Sequence, residues 1–165
     1  MSYRKQFIKD IVDMSQGNDF TRAKLEWYLV ELWKEQNHCL CGHFIIQSCL
    51  IKNDITGHEV VVGNCCVKKF LNNMSADEYF KILMRIEKNI ETTIRECNFI
   101  KLLLVNNFIN NWEYGFYMSI KDKKKSKLSP RQLYKKIHIH KKVLKRYEDH
   151  KKIKFEENMF KLESL

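Results

Sequence analysis

Apolar positions along the chain follow two periods, and each change of period marks an element boundary. Phe7, Ile8, Ile11, Val12 and Met14 keep helical spacing, and Gly17-Asn18-Asp19 closes this first helix as a turn. Leu25, Tyr28, Leu29, Leu32 and Trp33 repeat the pattern, which predicts a second helix, capped by Asp19 or Thr21 and ending near Gln36. From Phe44 to Asn53 the period shortens and β-branched and aromatic residues dominate; Asp54-Ile55-Thr56-Gly57 then supplies a turn, and His58 to Val62 returns as the second strand of a hairpin. Gly63 and Asn64 break that strand, with Asn64 placed to cap a helix whose first turn holds Cys65 and Cys66, ahead of Val67, Phe70 and Leu71.

The second half reads as mostly helical. Ser75-Ala76-Asp77-Glu78 is a capping box opening a long amphipathic region through Tyr79, Ile82, Leu83, Ile86, Ile90 and Ile94. Cys97, Ile100, Leu103, Leu104 and Phe108 extend it, and Asn106, Asn107, Asn110 and Asn111 predict a break before Trp112. The aromatic stretch from Trp112 to Ile120 is compatible with a short strand, an irregular cover over the core or the end of a helix. A basic loop at Lys121 to Lys127 follows, and Ser129-Pro130-Arg131-Gln132 caps a final helix whose apolar set is Leu133, Tyr134, Ile137, Leu144 and Tyr147. From about Phe155 the sequence is acidic and apolar, and this end is expected to dock back or fray.

These elements predict an α+β fold that is mainly helical, with one β-hairpin inserted in a helical body. Residues 1–120 form the body, with the hairpin module at about 38–72, and 121–165 form the basic loop and C-terminal helix packed on the same domain. With 165 residues and 44% hydrophobic content, the chain is long enough for one packed core. No run of about twenty apolar residues occurs, and charges follow Met1 closely, so a soluble, intracellular protein without membrane association is expected.

Cysteine placement supplies the candidate chemistry. Six cysteines in a chain with no export signal point to thiolate ligands more than to disulfides. Cys39-Leu40-Cys41-Gly42-His43 offers two thiols on one glycine-supported turn, and Cys65 and Cys66 stand at a helix start, where the helix dipole favours thiolate. Structural zinc takes four N/S ligands. Cys39, Cys41 and Cys66 rank first, and the fourth place falls to His43 or Cys65, with His38 behind them. All four places are then filled by protein, so the zinc is structural. Because an isolated two-stranded hairpin is marginal in water, the metal is expected to be required for this segment to fold. Cys49, within a strand, and Cys97, on an apolar helix face, read as small buried hydrophobes. Trp27, Tyr28 and Trp33 read as core aromatics. His58, His138, His140 and His150 lack ligand spacing.

Cys-Leu-Cys-Gly-His, the hairpin with Thr56-Gly57 at its turn and the run Val62-Gly63-Asn64-Cys65-Cys66-Val67-Lys68-Lys69-Phe70 together resemble the small treble-clef-type zinc modules of large DNA viruses and phages, over about a fifth of the chain. The stretch from Phe116 to Ile120, leading through Leu128-Ser129-Pro130-Arg131-Gln132-Leu133 to a basic helix, is similar to segments that follow such modules. A composition heavy in Lys, Asn and Ile also suits an AT-rich viral genome. The resemblance implies a zinc-stabilised binder of unassigned role, in the host cytoplasm or nucleus.

Charge narrows the partner. The net charge is +10, but Lys121 to Lys154 holds fifteen Lys/Arg against three Asp/Glu, leaving fifteen basic and seventeen acidic residues elsewhere. Such segregation favours polyanions, nucleic acid first. The expected contacts are Lys121, Lys123, Lys124, Lys125, Lys127, Arg131, Lys135, Lys136, Lys141, Lys142, Lys145 and Arg146, binding DNA or RNA through phosphates, with Tyr134, Tyr147, Tyr114 and Phe116 available for stacking. The alternative is a protein-interaction module that engages a host or viral protein through the zinc hairpin or the aromatic stretch around Trp112, with the basic loop as an import signal or solvated linker. No phosphate loop, nucleophile elbow, His-Glu-x-x-His or acidic nuclease cluster is present, and the expectation is a protein that is not an enzyme.

Overall fold

A computed structural model describes residues 2–164, and the side chains of residues 2–149 and 164. In chain order it contains α1 (Tyr3–Asp13), α2 (Phe20–Ala23), a 3-10 turn (Lys24–Glu26), β1 (Trp27–His38), β2 (Phe44–Asn53), β3 (Glu59–Gly63) and α3 (Asn64–Val67). Then follow α4 (Ala76–Lys88), α5 (Cys97–Val105), α6 (Asn111–Ile120), a second 3-10 turn (Lys125–Lys127) and α7 (Pro130–Glu163). The architecture is α+β, with one antiparallel sheet of strand order β1-β2-β3. The expected fraying or docking from Phe155 concerns side chains outside the described residues.

The largest departure from the sequence reading is β1. Asp19 does cap a helix, accepting from the Arg22 N–H at 2.9 Å, but that helix stops at Ala23, and the segment read as helical is a twelve-residue strand. Trp27 and Leu29 enter the main core, while Tyr28 and Val30 pack with Leu50 on the other face. Alternation into two clusters is the period of a strand. Leu25, which the helical reading buried, is exposed. Pairing with β2, from Trp27 opposite Asn53 to His38 opposite Phe44, settles the conformation in favour of these β-prone residues.

β1 also changes the energetics of the hairpin. β2 pairs with β3 from Ser48 opposite Gly63 to Lys52 opposite Glu59, as the sequence predicts, but β2 is the central strand of three. The β2–β3 hairpin therefore does not stand alone, and metal is not its sole support. Its turn is organised by Asn53, whose Oδ1 accepts from the Ile55 and Thr56 N–H groups at 2.8 and 2.9 Å and whose Nδ2 donates to Glu26 at 2.8 Å.

Ser75 caps α4, but the helix ends at Lys88, short of the expected Ile90 and Ile94. The non-helical segment from Asn89 to Glu96 instead takes hydrogen bonds from elements far along the chain. Tyr117 Oη accepts from the Ile94 N–H at 3.0 Å, His140 Nδ1 donates to the Ile90 carbonyl at 2.7 Å, and Lys136 Nζ donates to the Glu91 carbonyl at 2.7 Å. Backbone groups that leave a helix must find such partners. The aromatic stretch after Asn110 is a helix, α6, opened by a reciprocal capping box between Asn110 and Glu113.

Ser129 and Gln132 cap α7 reciprocally, at 3.0 and 3.2 Å. Its buried residues are Lys136, Ile139, His140 and Val143, with Leu133, Ile137, Leu144 and Tyr147 half-buried beside them. Tyr134, expected on the inner face, is 74% exposed. The inner face is rotated from the apolar set because two polar residues, Lys136 and His140, are buried with their hydrogen bonds made.

Candidate metal centre and cationic surface

The turn between β1 and β2 holds Cys39 to His43, the glycine-supported turn of the sequence reading, and forms a tight knuckle. Cys39 N–H donates to the His43 carbonyl at 2.9 Å, Gly42 N–H donates to the Cys39 carbonyl at 2.7 Å, and Leu40 N–H reaches across to the Val61 carbonyl at 3.0 Å. Gly42 has φ +93°, a conformation that side-chain-bearing residues avoid. At the far edge Gly63 ends β3, and a Cβ there would lie 2.7 Å from Ile45 Cγ2, so only glycine lets β3 approach β2 and deliver α3 at this point. The first residues of α3 are Asn64, Cys65 and Cys66, with Gly63 rather than Asn64 in the cap position.

These connections gather Cys39, Cys41 and Cys66, whose sulfurs all lie within 4.8 Å of one another. Sulfurs around a four-coordinate zinc stand about 3.8 Å apart, given Zn–S bonds of about 2.3 Å, so the cluster is of a size to hold a metal ion. Cys39 is buried and Cys41 and Cys66 are half-buried. Gly63 N–H donates to Cys39 Sγ at 3.3 Å, and Lys69, one helical turn beyond Cys66, brings Nζ to 4.0 Å from its sulfur. The hydrogen bond from the Cys66 thiol lowers Cys39 well below the usual thiol range; burial opposes this, and the N–H groups of Cys41 and Gly63 reinforce it. The same bond, with burial, raises Cys66. A cation placed among these sulfurs would favour their thiolate forms.

Of the remaining candidates, His43 brings Nδ1 to 3.2 Å from Cys41 Sγ, and its ring packs on Tyr3 at 5.0 Å between centroids. Cys65 is exposed and stands outside the mutually close set, and His38 packs edge-on to Phe44 at 5.9 Å. Cys49 is buried within β2, and burial raises its thiol to about 12. Cys97 is exposed at the start of α5, contrary to the buried position its apolar neighbours suggest. Sequence spacing marked the three clustered cysteines; Lys69 was legible only as the i+3 neighbour of Cys66, and the Gly63 N–H only from the fold.

The twelve basic candidates of the C-terminal region divide evenly. Lys121 pairs with Asp122 at 2.7 Å, Lys125 with Glu91, and Lys142 and Lys135 with the buried Glu113 at 2.8 and 3.4 Å. Burial pushes the Glu113 carboxyl up, but Lys142, the Asn110 N–H and Lys135 together outweigh it and hold the group below its ordinary value. Arg146 donates to the Asn107 carbonyl at 2.7 Å and meets Asp54 at 3.4 Å. Lys136 is fully buried against Glu91 and Thr93, so it is a structural residue and no phosphate contact. Lys123, Lys124, Lys127, Arg131, Lys141 and Lys145 are exposed. Among the described residues, none of these six joins an ion pair. Tyr147 and Phe116 are half-buried against the core, as is Tyr114, whose ring lies 5.3 Å from Lys101 Nζ.

Among the described residues no helix is long and apolar enough to cross a membrane. No family model, curated protein or solved structure matches the chain.

Proposed function

We propose that the chain is a non-enzymatic, zinc-stabilised nucleic-acid-binding protein of the kind its treble-clef-like motif suggests in large DNA viruses and phages. Cys39, Cys41 and Cys66 hold the metal, and His43, already beside Cys41, is the fourth ligand in preference to the exposed Cys65. The zinc ties the β1–β2 turn to the start of α3 and, with every place filled by protein, acts as a clamp. The observation that carries the binding reading is the set of six exposed cations from Lys123 to Lys145 with no ion pair among the described residues. Charges already paired to carboxylates add little for a phosphate; unpaired ones release counterions.

The test is a salt titration of a labelled oligonucleotide. With six phosphate contacts, affinity falls by about 2.5 decades on a single strand, or about three on a duplex, between 50 and 200 mM salt. The combined substitution Arg131→Gln, Lys141→Gln and Lys145→Gln halves the slope. A flat salt dependence, or a variant that binds like the parent, refutes the reading. A protein-interaction role has one observation in its favour, the exposed Tyr3, Phe44 and Ile46 near the knuckle, and predicts a partner retained after nuclease treatment and after loss of those three charges.

A further inference from the structure

Arg131, Tyr134, His138, Lys141 and Lys145 recur at alternating steps of three and four along α7, and every one of them is exposed. At 100° per residue this places them within one stripe, diametrically opposite the buried Lys136, Ile139, His140 and Val143. The stripe runs for about 21 Å, at 1.5 Å per residue. A solvated helix face needs no aromatic ring. Tyr134 nevertheless presents one there, 74% exposed, and among the described residues no ring or cation packs on it.

We infer that this stripe is a site for single-stranded nucleic acid, in which Tyr134 stacks on an unpaired base while Arg131, Lys141 and Lys145 follow the phosphates on either side. The inference rests on the nucleic-acid reading above and names its substrate class. A flat aromatic face has nothing to offer a duplex, whose bases are already stacked on one another, whereas an open strand gains a stacking partner for each base it turns outward. The recognition is tolerant of sequence, since every base has a π-face, and no side chain of the stripe is committed to a base edge. The length suits about four nucleotides, the lower end of the range for single-strand sites. Trp112, 64% exposed at the start of α6, lies beside the same helix, but its ring is already stacked on Phe116 and has Lys135 Nζ at 5.1 Å, which leaves Tyr134 as the stacking residue.

The experiment uses the full zinc-loaded chain and fluorescence anisotropy with labelled twelve-mers of thymidylate and uridylate, and with a duplex of the same length, at 100 mM salt. Tyr134→Ala is expected to weaken binding to the single strands by about five- to a hundred-fold. Tyr134→Phe, which keeps the ring, is expected to bind as the parent does, and neither substitution should alter duplex affinity. The thymidylate and uridylate arms report whether the strand is DNA or RNA. Equal losses on single strand and duplex, an unaffected single-strand affinity in Tyr134→Ala, or a parent preference for duplex overturns the inference and leaves the nucleic-acid reading in place. Absence of binding to all three probes overturns both. Tyr134 lies on the solvent side of α7, so a folding defect is not expected, and an unchanged circular dichroism melt checks it.

Discussion

His140 makes the stability of this protein depend on pH in a way that can be worked out from its surroundings. The ring is fully buried between α7 and the segment after α4, donates through Nδ1 to the Ile90 carbonyl, and accepts at Nε2 from Tyr117 Oη at 2.7 Å. Tyr117 Oη in turn accepts from the Ile94 N–H, so the neutral ring satisfies every group in the chain of bonds. A second ring proton would confront the Tyr117 hydroxyl with another donor, in a place where water cannot help. Burial therefore holds His140 down at about 4 from the ordinary 6.5, with the neighbouring Lys136 ammonium contributing and the Ile90 carbonyl opposing.

Because the folded value is depressed, the unfolded chain takes up the proton first. The stability contributed by the neutral ring is complete above pH 6.5 and is lost as the pH falls through 6.5 toward 4. The whole offset corresponds to about 3 kcal/mol, and about 2 kcal/mol of it is gone by pH 5. His140→Gln removes the titration. Urea unfolding of both proteins at pH 7.5 and pH 5.0 cancels the acid sensitivity they share, and the advantage of the parent over the variant should shrink by about 2 kcal/mol. An advantage constant between the two pH values would refute the reasoning.

Three further outcomes are expected. Glu113→Gln keeps an oxygen for the Asn110 N–H but loses the charge that binds Lys135 and Lys142; since both lysines are partly solvated, the cost should be about 1–2 kcal/mol by urea denaturation. Gly42→Ala forces a side chain into φ +93° and should cost about 1–2 kcal/mol in the same measurement, while the Tyr3 ring, 3.1 Å from the new Cβ, is exposed and can yield. Cys66→Ser should abolish metal retention and Cys65→Ser should leave it intact, as read by dye-based zinc release; the reverse order would exchange the two cysteines in the site.

The elements legible in the sequence are those whose signals are local. Gly57 at φ +78° between two β-prone runs marks the second hairpin, and Ser75 and Ser129 three residues ahead of Glu78 and Gln132 mark two helix starts. The knuckle and the helix-start thiol are likewise local patterns, which is why three clustered cysteines could be named from spacing alone. What hydropathy misread depends on distant partners. Leu25, Leu29 and Leu32 fit a helix as well as Trp27 to Val30 fit a strand, and only the pairing with β2 decides. The long helix expected after Ser75 breaks because the carbonyls of Ile90 and Glu91 are taken by His140 and Lys136, 50 and 45 residues away. The same two side chains rotate the inner face of α7, since a residue type that is usually solvated gives no hint that it will be buried and bonded. Asn110 and Glu113 did carry the signature of a cap, but the aromatic residues between Trp112 and Tyr117 fit a strand equally well.

The account depends most on a metal joining the β1–β2 turn to the start of α3. Elemental analysis of protein purified without added metal tests this most directly: about one zinc per chain is predicted. A folded, monodisperse protein with no bound metal would contradict it.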